Sequence, residues 1–226
     1  MGNVLMKSFV TSDDIYLDIC NKIENLEYMP GDRLSENELA SRYGVSRHIV
    51  RGALAALKNR RLVEVYPQRG TFVSLIDTEY ISDILYMRES VEQEAICRII
   101  ESGDVESIVK HMRSAIEAQK KLKEGADFSQ KFYELDNLFH EVLFDAVGRP
   151  HVMELIADPY IHIRRWRNYE VRTPERIREI MLEHEEIADA IEQKDRDKAR
   201  VALHKHLDTA TRYSKPLKEA EAQYFA

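Results

Sequence analysis

Asp136 and His140 stand one helical turn apart in the segment 131–147, where Phe132, Leu135, Phe139, Val142, Leu143 and Ala146 form one apolar stripe at about 100° per residue. Asp136 lies inside the edge of that stripe and His140 just beyond it, so the pair faces inward. The pattern recurs on two more segments. Between Pro174 and Glu192 the stripe Ile177, Ile180, Met181, Ile187, Ala188 and Ile191 has His184 at its centre. On the last helix His206 lies among Ala199, Ala202, Leu203, Ala210 and Tyr213, whereas His204 points away. A single buried histidine is ordinarily a hydrogen-bonded core residue. A carboxylate and three imidazoles turned inward together would be costly unpaired, and one divalent cation satisfies all four. The expectation is one metal ion per chain, zinc as first choice, with nickel, manganese or iron as alternatives, and with room on a six-coordinate ion for an oxygen ligand.

Arg88 is a further polar intruder, in the middle of the stripe Ile81, Ile84, Leu85, Val91, Ala95 and Ile99. Glu92, one turn on, offers an intrahelical ion pair. A guanidinium facing a metal-lined cavity could equally clamp the carboxylate of a small anionic effector, and Glu92 could orient it. Arg164, Arg165 and Arg167 around Trp166 read as a solvated basic face.

A different chemistry belongs to the stretch from Ser35 to Leu57, which reads as two short helices joined by a glycine turn. Ser35 with Glu38 makes a capping box, Gly44 suits the left-handed residue that ends the first helix, and Ser46 caps the second. From that cap Arg47, His48 and Arg51 project at the end of a recognition helix that enters the major groove of DNA. The run from Leu62 to Leu75 reads as two strands around Pro67-Gln-Arg-Gly70, a wing whose Gln68, Arg69 and Gly70 can approach phosphates or the minor groove. The net charge of −7 is misleading: between Arg42 and Arg69 stand Arg42, Arg47, Arg51, Lys58, Arg60, Arg61 and Arg69 against Glu64 alone. Local charge governs phosphate contact.

The elements that must position these groups follow from punctuation and periodicity. Asp13 to Leu26 reads as a first helix ended by Met29-Pro-Gly31. After the wing, breaks near Gly103, Gly125, Gly148-Arg-Pro150, Thr173-Pro174 and Lys194-Asp195 divide the remainder into six helices. The expected fold is mainly α: a winged helix-turn-helix of three helices and a β-hairpin over residues 1–76, then an all-α six-helix bundle over 77–226. At 226 residues and 44% hydrophobic content the chain can build two cores. It lacks an apolar run long enough to span a bilayer, and Met1 to Val10 lacks the length and basic head of a secretory signal, so a cytoplasmic location is expected. Cys20 and Cys97 have no CxxC spacing and read as reduced thiols.

Taken together these motifs resemble the GntR family of transcription regulators, FadR type, with an FCD effector-binding domain. The N-terminal resemblance rests on Pro30-Gly31, Leu34-Ser-Glu36, Glu38-Leu-Ala40, Gly44-Val-Ser-Arg47, Val50-Arg51, Ala53-Leu54 and Arg69-Gly-Thr-Phe-Val73. The C-terminal one rests on Arg88 and Glu92, Asp136-Asn-Leu-Phe-His140, Glu183-His184 with Ile187 and Ala190-Ile191, and His206-Leu207. The resemblance implies Asp136, His140, His184 and His206 as metal ligands and a carboxylate metabolite held by the metal and Arg88. It further implies DNA contact by Ser35, Ser46, Arg47, His48, Arg51, Gln68, Arg69 and Gly70, and a homodimeric repressor on near-palindromic operator DNA. This sequence departs from the family at His48-Ile49, where a small hydroxyl residue and proline are usual, at Gly52 in place of a charged residue, at Arg61 where glycine commonly precedes the wing, and at Arg149. Gly52 inside a helix costs about 1 kcal/mol relative to alanine, which suggests a close backbone approach. Rival readings are a metalloenzyme, disfavoured by the lack of a His-Glu-x-x-His motif, and a bundle whose metal is only structural and which serves dimerisation.

Overall fold

The computed structural model describes residues 10–123, 128–155, 157–171 and 173–226. The chain divides into two compact units: one ends at Ile76 and is completed by Glu221–Ala226, the other is Asp77–Ala220.

In the first unit α1 (Ser12–Glu24) opens on a full capping box, in which the Thr11 hydroxyl accepts from the Asp14 backbone and Asp14 accepts from the Thr11 backbone. Its Ile15, Ile19 and Ile23 are completely buried. At α2 (Glu36–Tyr43) one arm of the expected box is present: Ser35 Oγ accepts from the Glu38 backbone at 3.4 Å. Gly44 ends α2 with φ 66°, a conformation that costs glycine little. Helix α3 (Arg47–Asn59) buries Val50, Ala53, Leu54 and Leu57 and packs on α1 and α2. A β-carbon added at Gly52 would lie 2.6 Å from Ser12 Oγ of α1 and 3.5 Å from Ser12 Cβ, so its nearest neighbour is a side-chain hydroxyl that can turn away and not the close backbone expected there.

Arg61 follows with φ 58°, so the residue that stands where glycine is common keeps the left-handed backbone. Strands β2 (Val63–Tyr66) and β3 (Gly70–Val73) form the antiparallel hairpin, with Val63 opposite Val73 and Tyr66 opposite Gly70. A short β1 (Arg33–Leu34) pairs with the other edge of β3, giving the order β1-β3-β2. The C-terminal residues belong to this unit: Phe225 bridges Ile76, the Ile76 N–H donates to Tyr224 O at 2.8 Å, and the Ala226 N–H donates to Ile76 O at 3.1 Å.

The second unit is helical: α4 (Thr78–Ser102), α5 (Glu106–Lys120), α6 (Phe128–Ala146), α7 (Val152–Leu155), α8 (Ala157–Glu170), α9 (Pro174–Glu192), α10 (Arg196–Leu207) and α11 (Thr209–Ala220). Gly103 and Gly148, both left-handed, mark two of the expected breaks. Thr173 caps α9 with Pro174 in its first turn, and Asp195 caps α10 after a left-handed Lys194. The break expected at Gly125 lies outside the described residues. The six long segments are subdivided by the single turn α7 and by a break at Asp208 between α10 and α11. Helix α4 packs on α6, α8 and α10, and α9 packs on α5 and α10. The inward faces of α4, α6, α9 and α10 therefore bound one interior.

Candidate metal centre and nucleic-acid-binding face

At the convergence of α6, α9 and α10 the side chains of Asp136, His140, His184 and His206 meet, each exposed by 1% or less. One donor atom from each lies within 4.8 Å of all the others, so the group could hold a metal ion. Each imidazole is oriented from behind. His140 Nδ1 lies 2.8 Å from Glu92 Oε2, His206 Nδ1 3.2 Å from Glu183 Oε2, and His184 Nδ1 3.3 Å from Gln119 Oε1. An ionised carboxylate only accepts hydrogen bonds, so Glu92 and Glu183 fix the proton of His140 and His206 on Nδ1. Their Nε2 lone pairs then face each other across 3.2 Å. Phe139 stacks on His184 with ring centroids 4.0 Å apart, which holds the third ring in place.

Asp136 is held on one side by Arg167, which donates to Oδ2. Its Oδ1, and Nε2 of His184 3.4 Å away, are buried without a hydrogen-bond partner. Two facing lone pairs and two orphaned acceptors are an unfavourable set by themselves. A cation removes the conflict, so the residues fit one. Imidazole nitrogens with a carboxylate oxygen suit zinc and the other borderline divalent ions.

Electrostatics leave the donors in the state a cation needs. Burial pushes the Asp136 carboxyl up, but Arg167, His184 and His140 outweigh it and hold it well below the usual carboxylate range. Burial, reinforced by the charge of Arg88, lowers His140 to about 4. Burial also takes His206 well below the ordinary imidazole value despite its bond to Glu183. Glu92 is raised by burial but brought down to about 2 by Arg88 and His140. Glu183 is likewise raised by burial and brought down to about 2 by His206 and Arg176, with a further bond from Arg212. The imidazoles of His140 and His206 are therefore neutral, and the carboxylates of Asp136, Glu92 and Glu183 ionised, at neutral pH.

Arg88 is fully buried; its Nε donates to Glu92 Oε1 at 2.5 Å and its Nη1 to Tyr160 Oη at 2.7 Å. The intrahelical pair with Glu92 is present, and Arg88 Nη2 is buried without a hydrogen-bond partner. The solvated basic face expected at Arg164 to Arg167 is corrected: Arg165 and Arg167 are buried, and Arg167 belongs to Asp136. Sequence reasoning missed Arg167 because the acid it neutralises lies on another helix. Glu183 and Gln119 were detectable, since Glu183 stands three residues after Ile180 and Gln119 three after Ile116 on inward faces.

In the first unit, Ser46, Arg47, His48, Arg51, Gln68 and Arg69 are all exposed, with Ser35 and Gly70 half-buried. Ser46 takes the extended backbone of a cap, but its side chain makes no capping bond, so the expected side-chain cap is corrected and the hydroxyl stays free for another acceptor or donor. Gln68, with φ 62°, and Gly70, with φ 114°, turn the chain at the wing tip, where Arg69 lies over the Tyr66 ring. Arg51 and Arg47 are both held by Glu36 of α2.

Residues 83–209 match the FCD domain, and residues 11–73 match the family described as bacterial regulatory proteins, gntR family. An uncharacterized HTH-type transcriptional regulator in an unstable DNA locus of Streptomyces ambofaciens is 34% identical over 194 residues, spanning 86% of this chain and 80% of that protein. The galactonate operon transcriptional repressor of Escherichia coli (strain K12) is 26% identical over 231 residues, spanning 91% of this chain and 97% of that protein. A crystal structure of a GntR transcriptional regulator from Rhodococcus sp. RHA1 has the same fold, with a TM-score of 0.69 at 22% identity, covering 89% of this chain and 96% of that one.

Proposed function

Because the chain belongs to the GntR family, with an FCD domain, and is a transcriptional regulator rather than an enzyme, we propose that it is a metal-dependent, carboxylate-responsive repressor acting as a cytoplasmic homodimer on operator DNA. One observation carries the sensor half of this reading: the Nε2 atoms of His140 and His206 confront each other at 3.2 Å beside the orphaned Asp136 Oδ1 and His184 Nε2. Asp136, His140, His184 and His206 would hold a single divalent ion, zinc first, with nickel, manganese or iron as alternatives. When bound, that ion supplies a Lewis-acidic point for an oxygen ligand. Arg88 supplies the second attachment, since its buried Nη2 is unpartnered and its other nitrogens are fixed by Glu92 and Tyr160. The repressor of the galactonate operon, a relative named for a sugar acid's operon, supports a carboxylate effector and a repressing sign.

Arg47, His48 and Arg51 of α3 would read the major groove, with Ser35 and Ser46 on the flanking backbone and Gln68, Arg69 and Gly70 of the wing beside it. Two heads of a symmetric dimer would meet half-sites about one helical turn apart. An effector bound unequally by the DNA-competent and DNA-released states would shift the balance between them. The complete burial of the four ligands favours a second reading, in which the ion is a structural cross-link. Elemental analysis of the purified protein, with a thermal-shift screen of mono- and dicarboxylates with and without chelator, tests both. A metal-dependent stabilisation by one acid supports the sensor; a bound metal with no acid response supports the cross-link.

A further inference from the structure

The head contains an acidic group that the basic count of the reading stretch omits. Glu36 occupies the first position of α2, and its carboxylate straddles Arg51 Nε, with Oε1 at 3.1 Å and Oε2 at 2.9 Å. The same Oε2 accepts from Arg47 Nη2 at 3.3 Å. Arg47 and Arg51 are one turn apart on α3, at the end proposed to enter the groove. We propose that Glu36 is a positioning residue for DNA reading: it aims the guanidinium of Arg51, steadies Arg47, and restrains the attraction of both for DNA of any sequence. The inference rests on the DNA-reading role of α3.

Three physical points support it. A carboxylate in the first turn of a helix is favoured by the helix dipole, which adds to the attraction of the two arginines. Its hold on Arg51 is through Nε, which fixes the plane of the guanidinium and leaves Nη1 and Nη2 as a fork suited to guanine O6 and N7 or to a phosphate. The pair is too exposed to matter much for folding, with Arg51 60% and Glu36 29% accessible. Against DNA the same charge has a definite effect: it opposes phosphate binding and so weakens the sequence-independent part of affinity, while the base-reading part benefits from a pre-aimed fork.

The test compares the full-length wild type, Glu36→Gln and Glu36→Asp on two duplexes, one enriched by the wild type from a randomised pool and one of the same composition with its sequence shuffled. Affinities are measured across a salt series. For Glu36→Gln the expected result is binding of the shuffled duplex tighter by roughly tenfold, a salt dependence steeper by about one phosphate contact, and a selected-to-shuffled ratio reduced by about tenfold. Glu36→Asp, which keeps the charge, should bind the shuffled duplex as the wild type does. All three proteins should melt together. An unchanged ratio, or a loss of affinity for both duplexes in parallel, overturns the role of Glu36. Failure of the wild type to enrich any duplex instead removes the DNA-reading premise, and the inference with it.

Discussion

Two imidazole lone pairs buried face to face repel unless something electrophilic lies between them, and this decides how His140 and His206 behave. The protons of both rings are pinned on Nδ1 by Glu92 and Glu183, so the conflict is built in rather than relieved by a tautomer change. His184→Ala should therefore abolish high-affinity metal binding in elemental analysis while leaving DNA affinity intact; a variant that keeps stoichiometric metal would remove His184 from the ligand set. The pH dependence has a definite sign. His140 falls from 6.5 to about 4 on folding, and His206 falls in the same direction, so the unfolded chain takes up protons first as pH drops. Stability of the metal-free protein should be flat above pH 6.5 and decline steadily from there towards pH 4. Glu92 and Glu183, held at about 2 against 4.5 unfolded, add a further loss below pH 4.5. A melting temperature that rises on acidification would show that the buried rings accept protons in the folded state.

Two of the chain's departures from its family, Gly52 and Arg61, have consequences within the head itself. Gly52 faces Ser12, whose hydroxyl would sit 2.6 Å from an added β-carbon while its own β-carbon lies at an ordinary 3.5 Å. Ser12→Ala combined with Gly52→Ala should then gain most of the helix-propensity difference, about 1 kcal/mol, whereas Gly52→Ala alone gains less because Ser12 must rotate. Additive melting shifts in that double-mutant cycle would refute the contact. Arg61 pays a left-handed backbone at φ 58°, which costs a residue with a β-carbon about 1 kcal/mol. Arg61→Gly should raise the melting temperature by a few degrees and slightly weaken binding to any DNA, since it also removes a cation. Periodicity located α4, α6 and α9 and their inward faces, because burial on one side of a helix leaves a visible stripe. It failed on α8, where Arg165 and Arg167 are buried beside Trp166, because a helix that buries charge against a partner's charge carries no apolar stripe.

At the scale of the whole chain, the coupling between an FCD domain and a DNA-binding head is the function to be measured. If the metal is sensory, chelation should abolish the effect of an activating carboxylate on operator affinity while dimers persist in sedimentation; dissociation on chelation would assign the metal to assembly. The sequence by itself determined the helix-turn-helix with its wing, the position of most helix breaks, and the inward placement of Asp136, His140, His184 and His206, because local capping, turn chemistry and hydrophobic periodicity are written in neighbouring residues. It also carried the family resemblance that the matches over 11–73 and 83–209 bear out. Only the tertiary structure decided which polar groups stand behind the ligands, that Arg167 neutralises Asp136, that Glu36 holds Arg51, and that Glu221–Ala226 completes the first unit through Ile76. Each of those is a pairing between residues far apart in the chain, and periodicity reports which way a side chain faces but not what it meets there.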